Sequence, residues 1–325
     1  MKNWLVQNPS IWNIPYLVRS FILSGSDASV IVPYTGPLSP FWAVSGSALP
    51  LISKRTKTYF LSTSHQSLLA MTQSRQEKSQ LDLIWFTSKR EKERISGDLD
   101  DAISENFLQG VCHQAAKDQV VSIFARVLDT CSQIDTLSSS GFQPAVTEHT
   151  YGLGNTSRMR SISVTNLRPQ TPGDTWHIHR LYRDITPSSV LRAENLTANT
   201  WSTEYTDEPR GHRKLIKSFV VTSMNEIAAW IRIYPGLNCP HRIQVMARPE
   251  SRVILQQLIG FAIGWLNQYS KHTILVTARD HEPHIVESVE SAGFRFIYSK
   301  ILLVRHLAVH LPINDNTRML EKVVR

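Results

Sequence analysis

Cysteine is scarce in this sequence of 325 residues, which carries only Cys112, Cys131 and Cys239. An odd count with no C-x-x-C pair argues against a disulfide framework and against a structural zinc site, so no metal is expected. It fits a reducing compartment, and the expected location is cytoplasmic. Long apolar runs are missing too. The most apolar stretch, Val253 to Leu266, contains Gln256 and Gln257 and is shorter than the ~20 residues of a membrane-spanning helix. It reads as a buried core helix, and no membrane is expected as a partner. The N-terminus, Met1-Lys2-Asn3-Trp4-Leu5, meets Gln7, Asn8 and Pro9 before the apolar region of a signal peptide can develop. No GxSxG, Walker A, HExxH or complete GxGxxG occurs, which leaves hydrolase, kinase and dinucleotide chemistries without a motif. The aromatic-plus-basic pattern of an RNA-binding sheet is absent as well.

The net charge of +8 suits an anionic partner, but the basic residues are scattered. The densest run, Lys89-Arg90-Glu91-Lys92-Glu93-Arg94, mixes both signs and reads as a solvated helix face, so nucleic acid is not expected. Hydrophobic residues make up 42% of the chain, enough for a folded core in each of about two domains. Residues Arg168 to Asp174 (RPQTPGD) hold two prolines and a glycine, which marks a linker. The expected division is a first domain over 1–156, a linker over 157–173, a second domain over 174–312 and a polar tail over 313–325. No regular reading is made of residues 1–57, where prolines crowd.

A weak internal repeat supports the division. In the first half an apolar run ends in Phe124-Ala125-Arg126, and Ile134 to Phe142 (IDTLSSSGF) follows. In the second half a run ends in Thr277-Ala278-Arg279, and Val286 to Phe294 (VESVESAGF) follows. Both copies read as strand, short helix, Gly-Phe corner, strand.

The second half is expected to begin with a strand over Trp176 to Arg183. A helix opening at Thr186-Pro187 follows, with Thr as its cap and Pro at its first position. Leu215 to Thr222 and Glu226 to Tyr234 form an antiparallel pair, and Arg242 to Ala247 is a third strand. Pro249-Glu250 opens the long helix, which runs to Tyr269. His272 to Ala278 is a buried strand, Glu282 to Ala292 a helix stopped by Gly293, and Phe294 to Leu311 two final strands. In the first half, Tyr59 to Ser62, Leu68 to Gln73, Leu81 to Thr87 and Gln119 to Arg126 read as strands, and Asp100 to Ala116 as a helix.

This order, with a strand ending in Arg248-Pro249-Glu250, a long buried helix, and a helix closing in Ala292-Gly293-Phe294, resembles the GNAT superfamily of acetyl-CoA-dependent N-acetyltransferases. The resemblance covers 174–312 well and 58–155 weakly. It implies an α/β (α+β) fold of two GNAT-like domains, each a mixed central sheet flanked by helices. It also implies acetyl-CoA or another acyl-CoA as co-substrate and a small-molecule or protein amine as acceptor. The alternative is a GNAT-fold binding or regulatory module that has lost the chemistry.

The resemblance further implies that a helix N-terminus binds the cofactor's pyrophosphate through its unpaired N–H groups. The cofactor's amide arm would then pair with an exposed strand edge. The residues at those places are Val245, Met246 and Ala247 on the strand and Ser251, Arg252 and Val253 at the helix start. The family's glycines are missing from the loop, where Pro249 removes an N–H donor and Glu250 competes with an anion for the helix's positive end. The family's proton-donating tyrosine is replaced by Val289, and by Leu137 in the first half. Strand Arg242 to Ala247 offers no carboxylate. Glu194, Glu204, Asp207 and Glu208 are candidate bases by composition only, and no catalytic residue is assigned. His177 with His179, and His281 with His284, are pairs without a third metal ligand. Trp176, Trp201, Trp230 and Trp265 read as core or pocket wall.

Overall fold

The computed structural model describes residues 56–308, except 63–65, 76, 78, 91–96, 155–162, 205–214, 225, 238 and 270–271. The first half supplies β1 (Thr56–Ser62), β2 (Gln66–Ser74), β3 (Gln80–Arg90), α1 (Gly97–Lys117), β4 (Ser122–Leu128), α2 (Ile134–Ser139) and β5 (Gln143–Leu153). The second half supplies β6 (Leu167–Pro169), α3 (Thr175–Ile185), α4 (Ser188–Glu194), β7 (Lys217–Ser223), β8 (Glu226–Tyr234) and β9 (His241–Ala247). It continues with α5 (Arg252–Leu266), β10 (Ile274–Arg279), α6 (Pro283–Ser291) and β11 (Arg295–His306).

Among the described residues eleven strands form one mixed sheet in the order β1-β2-β3-β4-β11-β5-β10-β9-β8-β7-β6. The order is a near-palindrome. β4 and β10 are each the parallel neighbour of a preceding strand, β3 and β9 respectively. At the centre the halves exchange strands. β5, from the first half, pairs antiparallel with β10 of the second. β11, the last of the described strands, pairs antiparallel with β4 of the first half and with β5. The two stretches 1–156 and 174–312 are therefore not separate sheets, because each completes the other.

The two Gly-Phe corners are built alike. Gly141 and Gly293 sit at φ of 87° and 89°, the left-handed region that glycine enters without a Cβ clash. The Phe142 N–H donates to the Leu137 carbonyl and the Phe294 N–H to the Val289 carbonyl, each at 3.1 Å. The Gly141 and Gly293 N–H groups donate three residues back. These bonds satisfy carbonyls left open at the end of a helix and turn the chain from α2 into β5 and from α6 into β11. Leu137 and Val289 are buried, so neither side chain reaches solvent.

One face of the sheet carries α1, α2, α5 and α6. α5 buries Leu255, Leu258, Ile259, Ala262, Ile263 and Leu266 against Ile231, Ile233, Val245, Ala247 and Val276. Full burial of each such side chain is worth about 1.5–3 kcal/mol, and this core holds β8, β9 and β10 together. The opposite face carries α3 and α4. α4 places Val190 over Phe124, Val146, Leu302 and Val304, so a second-half helix covers strands drawn from both halves.

Several expectations need correction. Trp176 to Arg183 is not a strand but most of α3. Ile178, Leu181 and Tyr182, at i, i+3 and i+4, are buried together beside Trp201 and Trp230, a helical period that the alternating histidines obscured. The stretch Arg168 to Asp174 is not a loose linker. Leu167–Pro169 pairs with β7 as β6, and Pro172–Asp174 is a 3-10 turn. The Asp174 carboxylate accepts two bonds from the Arg168 guanidinium, at 2.7 and 2.6 Å, and one from the Thr171 N–H. These contacts hold its pKa far below the usual carboxylate range, with the Arg168 bonds contributing most. Pro187 caps α4, which starts at Ser188. α5 ends at Leu266 rather than Tyr269. After the Gly293 corner the described residues form one long strand, β11, rather than two, and residues 309–311 of the expected pair lie outside the described residues. With α3 a helix and β6 ahead of it, the second half runs strand, two helices, three strands, helix, strand, helix, strand.

Candidate functional site

β9 and β10 are parallel and pair over three positions only, His241 to Ile243 with Ile274 to Val276. Beyond them the two strands part, and a gap opens between Gln244–Ala247 and Thr277–Arg279. The side of β9 that faces this gap follows from its hydrogen bonds. The His241 N–H donates to the Thr273 carbonyl on the β10 side, and the Arg248 N–H donates to the Ala228 carbonyl of β8. Backbone groups alternate along a strand, so those of Val245 and Ala247 aim into the gap. β3 and β4 repeat the pattern, pairing over Gln80 to Leu83 with Ser122 to Ala125 and then diverging.

A 3-10 turn, Pro249–Ser251, joins β9 to α5. Of the residues expected at this corner, Val245 and Ala247 are buried beneath α5, while Met246 packs on the other face beside Trp230. Ser251 is buried, and Arg252 and Glu250 are exposed. Val253 is 68% exposed and turns to solvent, away from the strand residues. The Arg248 guanidinium binds the Asp184 and Glu226 carboxylates at 3.0 and 3.1 Å. Arg252 pairs with Glu287 of α6 at 2.7 Å.

At the far end of β10 lies a cluster of buried charges that the sequence did not reveal. Arg279 donates to both Glu194 oxygens, at 3.0 and 2.7 Å, and the Tyr182 hydroxyl donates to the same carboxylate at 2.7 Å. Glu148 of β5 lies 3.7 Å from Arg279 and accepts from Arg126 of β4 at 3.1 Å. Arg126 in turn lies 3.6 Å from Asp82, which takes a two-pronged bond from Arg75. The chain of charges thus runs from β2 to α4 across both exchanged strands. Burial works to raise the Glu194 pKa, but the Arg279 guanidinium outweighs it and the carboxyl ends below its ordinary value. Burial, with the Glu194 charge second, lifts the Tyr182 phenol well above its ordinary value.

Glu282, in the turn from β10 to α6, accepts a bond from the Arg279 N–H at 2.9 Å. Burial pushes its pKa up to about 7, against the pull of Arg279. The His281 Nδ1–H beside it donates to the Asp280 carboxylate at 3.2 Å, and burial lowers the His281 pKa. The His284 Nε2–H donates to the Ala247 carbonyl at 3.0 Å.

Among the four carboxylates named from composition, Glu194 is locked by Arg279 and cannot act as a free base. Glu204 is exposed and has no described contact with the gap. Asp207 and Glu208 lie outside the described residues. His177 and His179 diverge. His179 is buried on α3, accepting from the Trp201 indole N–H at 3.1 Å, and burial lowers its pKa. Among the described residues no group of three or more His, Cys, Asp or Glu side chains forms a metal site. No helix there is long and apolar enough to cross a membrane. Trp201 and Trp230 are core residues, Trp265 packs at the core's edge and Trp176 is exposed.

No model of a known protein family matches the chain, and no curated protein does. Solved structures do. A GCN5-related N-acetyltransferase from Sphaerobacter thermophilus is similar at a TM-score of 0.47 and 13% identity, over 77% of this chain and 82% of that one. A tandem GNAT protein from the clavulanic acid biosynthesis pathway gives 0.45 and 8%, over 92% and 94%. A putative acetyltransferase from Pyrococcus horikoshii gives 0.46 and 11%, over 95% and 91%.

Proposed function

We propose that the chain binds acyl-CoA in the gap between β9 and β10 and transfers the acyl group to an amine. The observation that carries this reading is the early parting of two parallel strands beside the start of α5. An amide-bearing arm can add to such an edge as a further strand. Arg252, Ser251 and the first N–H groups of α5 lie where the arm's anionic end would follow. In the reaction the amine loses a proton and its nitrogen attacks the thioester carbonyl carbon. The C–S bond breaks, an amide forms, and the CoA thiolate leaves and is protonated. Holding amine and thioester together supplies much of the rate even without an acid at Val289.

The acceptor in this reading is a small-molecule or protein amine. The three free cysteines support a cytoplasmic setting. The division in this reading is a first domain over 1–156, a connection over 157–173 and a second domain over 174–312, with the second holding the cofactor and the first completing its sheet. A second reading, a binding module without turnover, is favoured by one observation: the apolar Val289 and Leu137 are both buried at the corners. The test is a thermal-shift titration with CoA, acetyl-CoA and longer acyl-CoAs, followed by a thiol-release assay over a panel of amines. A rise in melting temperature with thiol release supports the transferase, a rise without release supports the module, and no rise with any CoA species contradicts both.

A further inference from the structure

The gap beside β9 is already occupied at its edge by the protein itself. The Ala247 carbonyl points away from β8, toward the side where a ligand strand would add, and the His284 Nε2–H holds it at 3.0 Å. A carbonyl accepts only, so this contact also fixes the tautomer, with the proton on Nε2. One helical turn further along α6, Glu287 pairs with Arg252 at 2.7 Å. Residues three apart on a helix share a face. α6 therefore presents a donor and an acid together, the donor to the strand edge and the acid to the first residue of α5. They occupy the Ala247 carbonyl and the Arg252 guanidinium, the two polar groups that an amide arm ending in phosphates would need.

We infer that His284 and Glu287 form a latch across the gap, and that a CoA ligand binds by exchanging with it. The inference rests on the reading of the gap as an acyl-CoA site and says how that site is controlled. An amide N–H of the ligand replaces the His284 N–H on the Ala247 carbonyl, and ligand phosphate replaces the Glu287 carboxylate at Arg252. The exchange conserves hydrogen bonds on the protein, so its net gain is small and the free protein holds CoA weakly. Removing either half of the latch leaves the ligand without a competitor.

The test is calorimetric titration of the full chain with CoA at fixed salt and pH. The parent is compared with His284→Ala, which loses the donor, His284→Gln, which keeps one, and Glu287→Gln, which frees Arg252. The loss of one competing hydrogen bond changes affinity by about fivefold. His284→Ala and Glu287→Gln should each bind CoA about fivefold more tightly than the parent, and His284→Gln should stay near it. The gain from Glu287→Gln should shrink as salt rises, because that pair is half exposed, and the gain from His284→Ala should not. Melting curves of each variant confirm that it is folded. Equal or weaker CoA binding by His284→Ala and Glu287→Gln overturns the latch while leaving the site reading intact. No CoA binding by the parent or any folded variant overturns both.

Discussion

Glu148 and Lys300 face each other across the β5–β11 ladder, and the same chain distance separates them as separates Gly141 from Gly293. The symmetry relating the two halves thus passes through this pair, at the centre of the exchanged strands. Two ion pairs to the exchanged strand β5 lie beside it. Arg126 reaches Glu148 from the β4 side, and Arg279 approaches it from the β10 side. On the same face α4 lies over β4, β5 and β11.

The exchange has a direct consequence for truncation. A 163–325 fragment lacks β5, so β10 loses a neighbour and β11 loses both of its partners. The unpaired backbone groups and uncovered apolar side chains remove the basis for a cooperative fold. The fragment should melt without a sharp transition in urea, and co-expression with a 1–162 fragment should restore one. A sharp, parent-like transition from the fragment alone would contradict the coupling.

Glu282 predicts a pH dependence. Its folded pKa is about 7 against an ordinary 4.5, so the folded protein keeps a proton that the unfolded chain releases. Stability is fully present below about pH 4.5, declines as pH rises toward 7 and stays lower above that. Glu282→Gln cannot ionise and retains an oxygen for the Arg279 N–H. At pH 8 it should be more stable than the parent by about 1–3 kcal/mol, and near pH 4 the two should match. Urea denaturation at both pH values checks this.

Arg279 predicts the opposite sign. Arg279→Met strands the Glu194 carboxylate in the interior, which typically costs about 3–5 kcal/mol. Arg279→Met combined with Glu194→Leu removes both charges and should recover a large part of that loss, as a double-mutant cycle in urea would show. Additive losses in the double variant would mean that the pair is not coupled.

Much of the fold was legible because its signals are local. Glu226 to Tyr234 is apolar but for Glu226 and Arg232 and is β8 to the residue. The Gly-Phe corners followed from the sequence repeat, and the core helix, expected from Pro249 to Tyr269, runs as α5 from Arg252 to Leu266 after a 3-10 turn. α3 was misread because Trp176 and Ile178 alternate with His177 and His179 while Ile178, Leu181 and Tyr182 also fit a helix, and eight residues do not separate the two periods. The strand exchange was not legible at all. Side-chain alternation states which face of a strand is buried but not which strand lies beside it.

The candidate site shared that limit. Val245, Ala247, Ser251 and Arg252 lie near one another because they are close in sequence, while Met246 packs on the other face and Val253 turns to solvent. Arg126, Glu148, Glu194, Arg279 and Glu282 converge only through the exchange. One signal was available: Arg126 and Arg279 end the two copies of the repeat, and a charge recurring at the end of an apolar run points to a buried partner.

The central claim is that a CoA ligand enters the gap beside β9. Amide hydrogen exchange of the full chain, with and without saturating CoA, tests it most directly. CoA should slow exchange in peptides covering residues 245–254 and leave the counterpart corner of the first half, residues 84–101, unchanged. Protection confined to 84–101, or no protection at 245–254 under saturating CoA, would contradict the account.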